Sequence, residues 1–224
     1  MAKALDLQEQ EQLEEFKAFW KRYGNPLTWL LTVVLLGFAA WNGWGWYQRD
    51  QAAKAAAMFE QLDQAVAAGD ADKAGRVFGD MKERFPRTAL AEQAGLLAAR
   101  AQFDKGLLEP AKASLTWVAE HATEDEYRVI ANLRLAGLLL DAKQYDAALK
   151  ALGATTSPAF AGLLADRRGD VLLAQGKRDE AKAAYLAAYQ AMDARLDYRQ
   201  LVEAKLTALG AAPAPAASAS GAAQ

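Results

Sequence analysis

The sequence predicts an all-α protein in which a single N-terminal transmembrane helix precedes a solenoid of helical repeats. Three observations lead there. No charged residue occurs between Arg22 and Arg49, residues 52–209 are rich in Ala and Leu without alternating runs of Val, Ile and Thr, and the turn signals in that stretch recur at a nearly constant period. The first gives the length a membrane requires, the second favours helix over strand, and the third separates a solenoid from an ordinary antiparallel bundle.

Residues 1–25 read as a cytoplasmic amphipathic tail. Leu13, Phe16, Trp20 and Tyr23 recur every three or four residues, while Glu9, Glu11, Glu14 and Glu15 fall largely elsewhere on the helix surface. Such a segment serves as an interfacial anchor or as a docking site for a partner. Gly24-Asn25-Pro26 is expected to end this helix before the span begins.

Residues 26–47 form the expected membrane anchor, with Leu27, Leu30, Leu31, Val33, Val34, Leu35, Leu36, Phe38 and Trp41 facing the hydrocarbon. About 20 apolar residues rising 1.5 Å each cover the roughly 30 Å apolar layer of a bilayer, and each Leu, Val or Phe favours insertion by roughly 0.3–0.6 kcal/mol. Trp20, Tyr23 and Trp29 at one end, and Trp41, Trp44, Trp46 and Tyr47 at the other, place amphipathic rings at headgroup level. Trp117 is then the one tryptophan left to the remainder. A cleaved signal peptide ending at Gly37-Phe38-Ala39 fits less well, because the leader is acidic and bulky aromatics follow the cut. Ala39, Asn42 and Gly43 offer a small, slightly polar face for a membrane-helix contact. Lys17, Lys21 and Arg22 before the span outnumber Arg49 and Lys54 after it, which orients the tail inside and the C-terminal part outside, in the periplasm or another trans compartment.

Composition removes several function classes. The formal net charge of −2 leaves no strongly basic region, so nucleic acid is not expected as a partner. The chain has no cysteine, which fits either side of a membrane. No catalytic, metal or cofactor constellation is present: His121 is the lone histidine and is expected to meet terminal carbonyls of its own helix, no glycine-rich phosphate loop follows a strand, and Glu124, Asp125 and Glu126 lack calcium-loop spacing and suit the N-terminus of a helix. The chain is therefore not expected to be an enzyme. Residues 211–224 contain only Ala, Pro, Ser, Gly and Gln and are expected to be disordered.

Residues 48–210 carry the repeat. Its clearest unit runs from Gly169 through a turn at Gly176 to Ala181 and Tyr185, placing a small residue at a helix crossing, then a turn, a second small residue and a bulky plug. The same frame finds Ala136, Ala148 and Leu152; Ala99, Gly106, Ala111 and Leu115; and Leu62, Gly69, Ala74 and Phe78. Successive anchors at Leu62, Ala99, Ala136 and Gly169 are 37, 37 and 33 residues apart. Pro86 and Pro158 are placed to end second helices, and Tyr198 to Leu209 supplies a capping helix. The pattern resembles the tetratricopeptide repeat, a helix-turn-helix unit of about 34 residues.

Longer strings narrow the resemblance. Val129-Ile130-Ala131-Asn132-Leu133-Arg134-Leu135-Ala136, Tyr145-Asp146-Ala147-Ala148-Leu149-Lys150-Ala151-Leu152, Ala165-Asp166-Arg167-Arg168-Gly169-Asp170-Val171-Leu172-Leu173 and the Phe16-Lys17-Ala18-Phe19-Trp20 to Gly24 lead-in are similar to the YfgM family of bacterial inner-membrane proteins. That resemblance implies an ancillary subunit of the SecYEG translocon, single-pass in the inner membrane with its repeats in the periplasm. It also implies work beside a membrane-anchored periplasmic chaperone of the PpiD type.

In tetratricopeptide repeats the first helix of each unit lines a concave groove. The frame places Leu96, Arg100 and Phe103 of the second unit there, with Ile130, Leu133 and Leu140 of the third and Asp166, Asp170 and Leu173 of the fourth. Apolar groups could hold an extended or unfolded secretory segment, and Arg100 with Asp166 or Asp170 could orient it by charge. Leu133 and Leu140 read equally well as core, and Arg134 and Arg168 as partners of carboxylates such as Asp166. Two functions fit: a membrane-tethered periplasmic scaffold or chaperone-like adaptor at the translocon, or a structural coordinator of envelope assembly or division that binds folded partners.

Overall fold

The computed structural model describes residues 7–154 and 157–212, and among these every regular element is helical. The chain divides into two compact units, Met1–Ala53 and Lys54–Gln224, with the division falling inside helix α1, Leu7–Ala67. The tail expected to be disordered lies outside the described residues from position 213 onward.

The first unit is the N-terminal part of α1. The break expected at Gly24-Asn25-Pro26 is not made, and the helix continues through Pro26. Pro26 removes the backbone donor that would reach the Arg22 carbonyl, while further along Thr28 Oγ1 donates to the Gly24 carbonyl at 2.6 Å and Thr32 Oγ1 to the Thr28 carbonyl at 2.8 Å, so the hydroxyls are satisfied within the helix. The Trp20 indole covers Gly24, where a Cβ would stand 3.2 Å from Nε1. Leu27, Leu30, Leu31, Val33, Val34, Leu35, Leu36, Phe38 and Trp41 are all exposed. Among the described residues, this helix alone is long and apolar enough to cross a membrane.

The second unit is a stack of helix pairs. The end of α1 pairs with α2 (Ala71–Arg84), α3 (Ala89–Asp104) with α4 (Leu108–His121), α5 (Asp125–Asp141) with α6 (Tyr145–Gly153), and α7 (Ala161–Ala174) with α8 (Arg178–Ala191); α9 (Asp197–Ala208) follows. Asp70 caps α2 by accepting from the Lys73 N–H at 2.9 Å, and Thr88 caps α3 by accepting from the Ala91 N–H at 3.2 Å. Pro86 lies just beyond α2, whereas Pro158 opens a short 3₁₀ turn, Pro158–Phe160, that leads into α7.

The turns repeat in detail. Gly69, Gly106, Lys143, Gly176 and Gly210 have φ of 70°, 75°, 58°, 79° and 72°, the left-handed region in which glycine has no Cβ penalty. After each, an N–H reaches back to close the preceding helix: Asp70 to Ala65 at 2.9 Å, Leu107 to Gln102 at 2.8 Å, Gln144 to Leu139 at 2.7 Å, Lys177 to Leu172 at 3.0 Å and Ala211 to Leu206 at 2.9 Å. The period read from the sequence is therefore the period of the turns.

Contacts run between consecutive helices from α2 to α9, and between the first helices α3, α5 and α7 of successive pairs. The core is correspondingly segmented. One cluster joins Leu62, Phe78 and Met81 with Ala94 and Ala98; a second joins Leu96, Leu115 and Val118 with Ala131, Leu135 and Val171; a third joins Leu172 and Tyr185 with Val202 and Leu206. Trp117 packs on the first two, edge-on to Phe78 with centroids 5.4 Å apart, and Leu149 packs on the second and third.

Crossings depend on missing side chains. A Cβ on Gly169 would stand 2.5 Å from Tyr185 Cε1, and one on Gly95 2.4 Å from Val118 Cγ2 and 2.9 Å from Phe78. Ala74, Ala111, Ala148 and Ala181 are fully buried on the second helices. Gly169→Ala is therefore expected to destabilise the helical unit by about 1–3 kcal/mol through displacement of the Tyr185 ring, a loss read from urea unfolding followed by circular dichroism.

Candidate protein-binding site

The first helices α3, α5 and α7 place part of the predicted groove together. A cavity of ≈ 350 Å³ is lined by Ala99, Arg100 and Phe103 of α3, Leu115 of α4, Leu133, Arg134, Gly137, Leu138 and Asp141 of α5, and Arg167 of α7. A second cavity of ≈ 290 Å³ lies on the other side of Arg100, against Val66, Gly69, Leu97 and Lys105. Arg100, Phe103 and Leu133 line the first cavity together.

Other predicted groove residues do not join them. Leu96 is buried in the second core cluster, because its position on α3 points between the pairs. Ile130 and Leu140 pack partly against the same cluster, as does Leu133, which serves core and cavity together. Leu173 is exposed on α7 away from the cavity.

Asp166 and Asp170 are corrected most sharply. Asp166 is 1% exposed, and its two carboxylate oxygens accept from Lys205 Nζ at 2.8 and 2.9 Å, with Tyr198 Oη donating to Oδ2 at 2.7 Å. Lys205 Nζ also donates to Asp170 Oδ1 at 2.7 Å, and Tyr185 Oη donates to that oxygen at 2.8 Å. These carboxylates fasten α9 to α7 and are not free to orient a ligand. Their cation is Lys205, not Arg134 or Arg168. Burial, followed by hydrogen bonding to Asp170 and Asp166 respectively, holds the Tyr185 and Tyr198 phenols protonated well above the usual phenol range.

Arg134 has a different role from the one expected. Its Nη1 donates to the Leu96 carbonyl at 3.2 Å, and burial, then the neighbouring charge of Arg100, lowers its affinity for the proton. Arg167 Nη1 reaches over α5, 3.9 Å from where a Cβ on Gly137 would lie. Arg167 and Asp141 carried no weight in the sequence reading. One signal could have found the arginines: Arg100, Arg134 and Arg167 are 34 and 33 residues apart, close to the repeat period.

His121 Nδ1 lies 3.0 Å from the Trp117 carbonyl and its ring stacks on Trp117, the helix-end contact expected of it. Asp125 accepts from Arg128 at 2.8 Å at the start of α5. No group of His, Cys, Asp and Glu among the described residues is arranged to hold a metal ion. In the span, Asn42 Nδ2 donates to the Phe38 carbonyl of its own helix at 3.1 Å, and nothing lies within 4 Å of a Cβ built at Gly43.

Paired helices, period-matched left-handed turns and a terminal helix define a tetratricopeptide-type solenoid carried behind a long apolar helix. The model of the tetratricopeptide repeat-like domain family matches residues 17–211. A protein of Neisseria gonorrhoeae named ancillary SecYEG translocon subunit is 32% identical over 92% of this chain and 99% of its own length. Proteins of that name from Escherichia coli K12 and Haemophilus influenzae are 31% and 25% identical, over 80% and 84% of this chain and 86% and 91% of theirs. The chain belongs to this tetratricopeptide repeat-like family, the YfgM family.

Two outcomes follow from the α9 lock. Lys205→Met leaves a buried carboxylate without its cation and is expected to destabilise the unit by about 2–4 kcal/mol in urea unfolding, less than for a fully buried pair because the ammonium keeps some solvent contact. The tyrosines set an alkaline limit. Their folded-state pKa values are raised, so their contribution is fully present below the unfolded value of about 10 and is lost as pH rises beyond it. Unfolding free energy should fall from about pH 10 upward, and Tyr185→Phe should flatten that fall.

Proposed function

We propose that the chain is a non-catalytic, membrane-anchored scaffold subunit of the SecYEG translocon. Its helical unit lies in the periplasm and binds partner proteins through the face built by α3, α5 and α7. The observation that carries the reading is the similarity to translocon subunits over nearly the whole chain, anchor and repeats together, at 32% identity. The apolar segment of α1 supports a single span, and Lys17, Lys21 and Arg22 against Arg49 and Lys54 support a cytoplasmic N-terminus. A PpiD-type chaperone is the neighbour that family membership suggests. A chaperone-like adaptor role rests on the cavity, where apolar walls and guanidinium groups face the same space.

The anchor sets location in this reading, and the helical unit sets contact. Removal of Met1 to Tyr47 is expected to leave a chain that no longer copurifies with SecYEG from solubilised membranes, while the full chain does so. Undiminished copurification would overturn the role given to the anchor.

A further inference from the structure

The cavity between α3, α5 and α7 is unusual in its charge. Three guanidinium groups, Arg100, Arg134 and Arg167, line it against the single carboxylate of Asp141, and its walls are apolar at Phe103, Leu133 and Leu138. Like charges brought together at a partly desolvated site repel unless an anion joins them. The repulsion is visible at Arg134, whose proton affinity is lowered by burial and by Arg100.

The internal carboxylates meet that demand in part. Arg100 Nε is 3.8 Å from Asp104 Oδ2, both groups being largely exposed, and Arg167 Nη1 is 3.8 Å from Asp170 Oδ2. These are ion pairs longer than hydrogen bonds, so they leave the guanidinium donors free, and Asp170 shares its charge with Lys205 through Oδ1 at 2.7 Å. Arg134 uses one donor on the Leu96 carbonyl, and a guanidinium has five. Donors therefore remain on three arginines around a space open enough to admit a side chain.

We propose that this cavity binds an extended polypeptide segment in which acidic side chains stand next to large apolar ones, the carboxylates bridging Arg100, Arg134 and Arg167 and the apolar groups resting on Phe103, Leu133 and Leu138. The inference rests on the scaffold reading above and gives the chemistry of its partner. Guanidinium–carboxylate pairs are directional and often bidentate, so they fix the register of the segment, while the apolar walls supply burial. Charge complementarity selects this occupant over a purely apolar one, because three guanidinium groups line the space against one carboxylate and an apolar segment would cover them without pairing them.

The test uses the full chain in nanodiscs of zwitterionic lipid and fluorescence anisotropy of a short fluorescein-labelled peptide that alternates Glu with Leu or Phe and ends in an amide. Binding is expected to weaken about tenfold or more when Gln replaces Glu in the peptide, and to weaken steeply with added salt. The double variant Arg100→Gln/Arg167→Gln, at two side chains that are not buried, is expected to lose at least about tenfold in affinity with an unchanged thermal melt. Equal binding of the Glu and Gln peptides, no binding of the Glu peptide, or unaltered binding by the folded double variant would each overturn the proposal. So would a preference for a Gln peptide bearing a free C-terminal carboxylate, which would assign the arginines to a chain end. Because no translocon is present in the assay, its failure leaves SecYEG association standing, and failure of the full chain to copurify with SecYEG while it still binds the peptide would fault the scaffold reading alone.

Discussion

Gly169 lies so near the Tyr185 ring that no side chain fits between them, and Gly95 lies as near Val118 and Phe78. Approach of this kind lets the two helices of a pair pack backbone to side chain, with the bulky plug of one filling the notch of the other. Once pairs are held this closely, each presents a fixed apolar surface only to its neighbour. The segmented core is the result: three clusters joined by Trp117 and Leu149 instead of one continuous interior. A stack built in this way has no natural end, and an exposed last pair would leave apolar surface in water. α9 answers that requirement with Val202 and Leu206, both buried, and with a polar clamp through Lys205.

How much of this was legible follows from the range of each signal. The turns were readable because a left-handed residue is a local demand that glycine meets, and Gly69, Gly106 and Gly176 recur in register. Lys143 holds the corresponding place with φ of 58°, so there the turn carries no glycine and shows only as the polar Lys143-Gln144 step. The plugs Phe78, Leu115, Leu152 and Tyr185 are all buried, as bulky residues one turn beyond a small one must be when helices cross there. The clamp was not legible. Asp166 and Lys205 are separated by 39 residues and Glu92 and Thr123 by 31, and neither pair has a periodicity that announces it. Asp166 therefore read as a groove carboxylate when it is an internal fastener. Leu96 failed for a related reason: the frame gives the helix but not which of its adjoining faces meets the next pair.

The anchor shows a parallel limit. Proline before an apolar run normally marks a boundary, yet α1 runs through Pro26 at the loss of one helical hydrogen bond, and Thr28 and Thr32 turn their hydroxyls back onto carbonyls of the same helix. Asn42 likewise bonds within its own helix. Polar side chains satisfied in this manner add little to lateral association, since a new partner would have to replace a bond already made. What the face of Ala39 and Gly43 retains is shape, a strip where a second helix can come close without meeting bulk.

Charge is divided unevenly along the first helices, and the division follows from the cap. At the fourth pair, Lys205 of α9 pairs with both Asp166 and Asp170, and Asp166 is buried under that contact. Between the second, third and fourth pairs, Arg100 and Arg167 meet Asp104 and Asp170 only at 3.8 Å, beyond hydrogen-bond length, and their donors stay open with those of Arg134. Guanidinium groups gathered on a half-open face are kept in balance by water, and they gain when a carboxylate displaces that water and pairs with them directly. The same repeat geometry that closes one end of the stack thus leaves its middle open, with a defined charge and apolar walls. A segment meeting only the apolar walls would leave the cations unpaired, and one meeting only the charges would hold on weakly through screened contacts. Recognition at this face requires both kinds of group within one short stretch of chain.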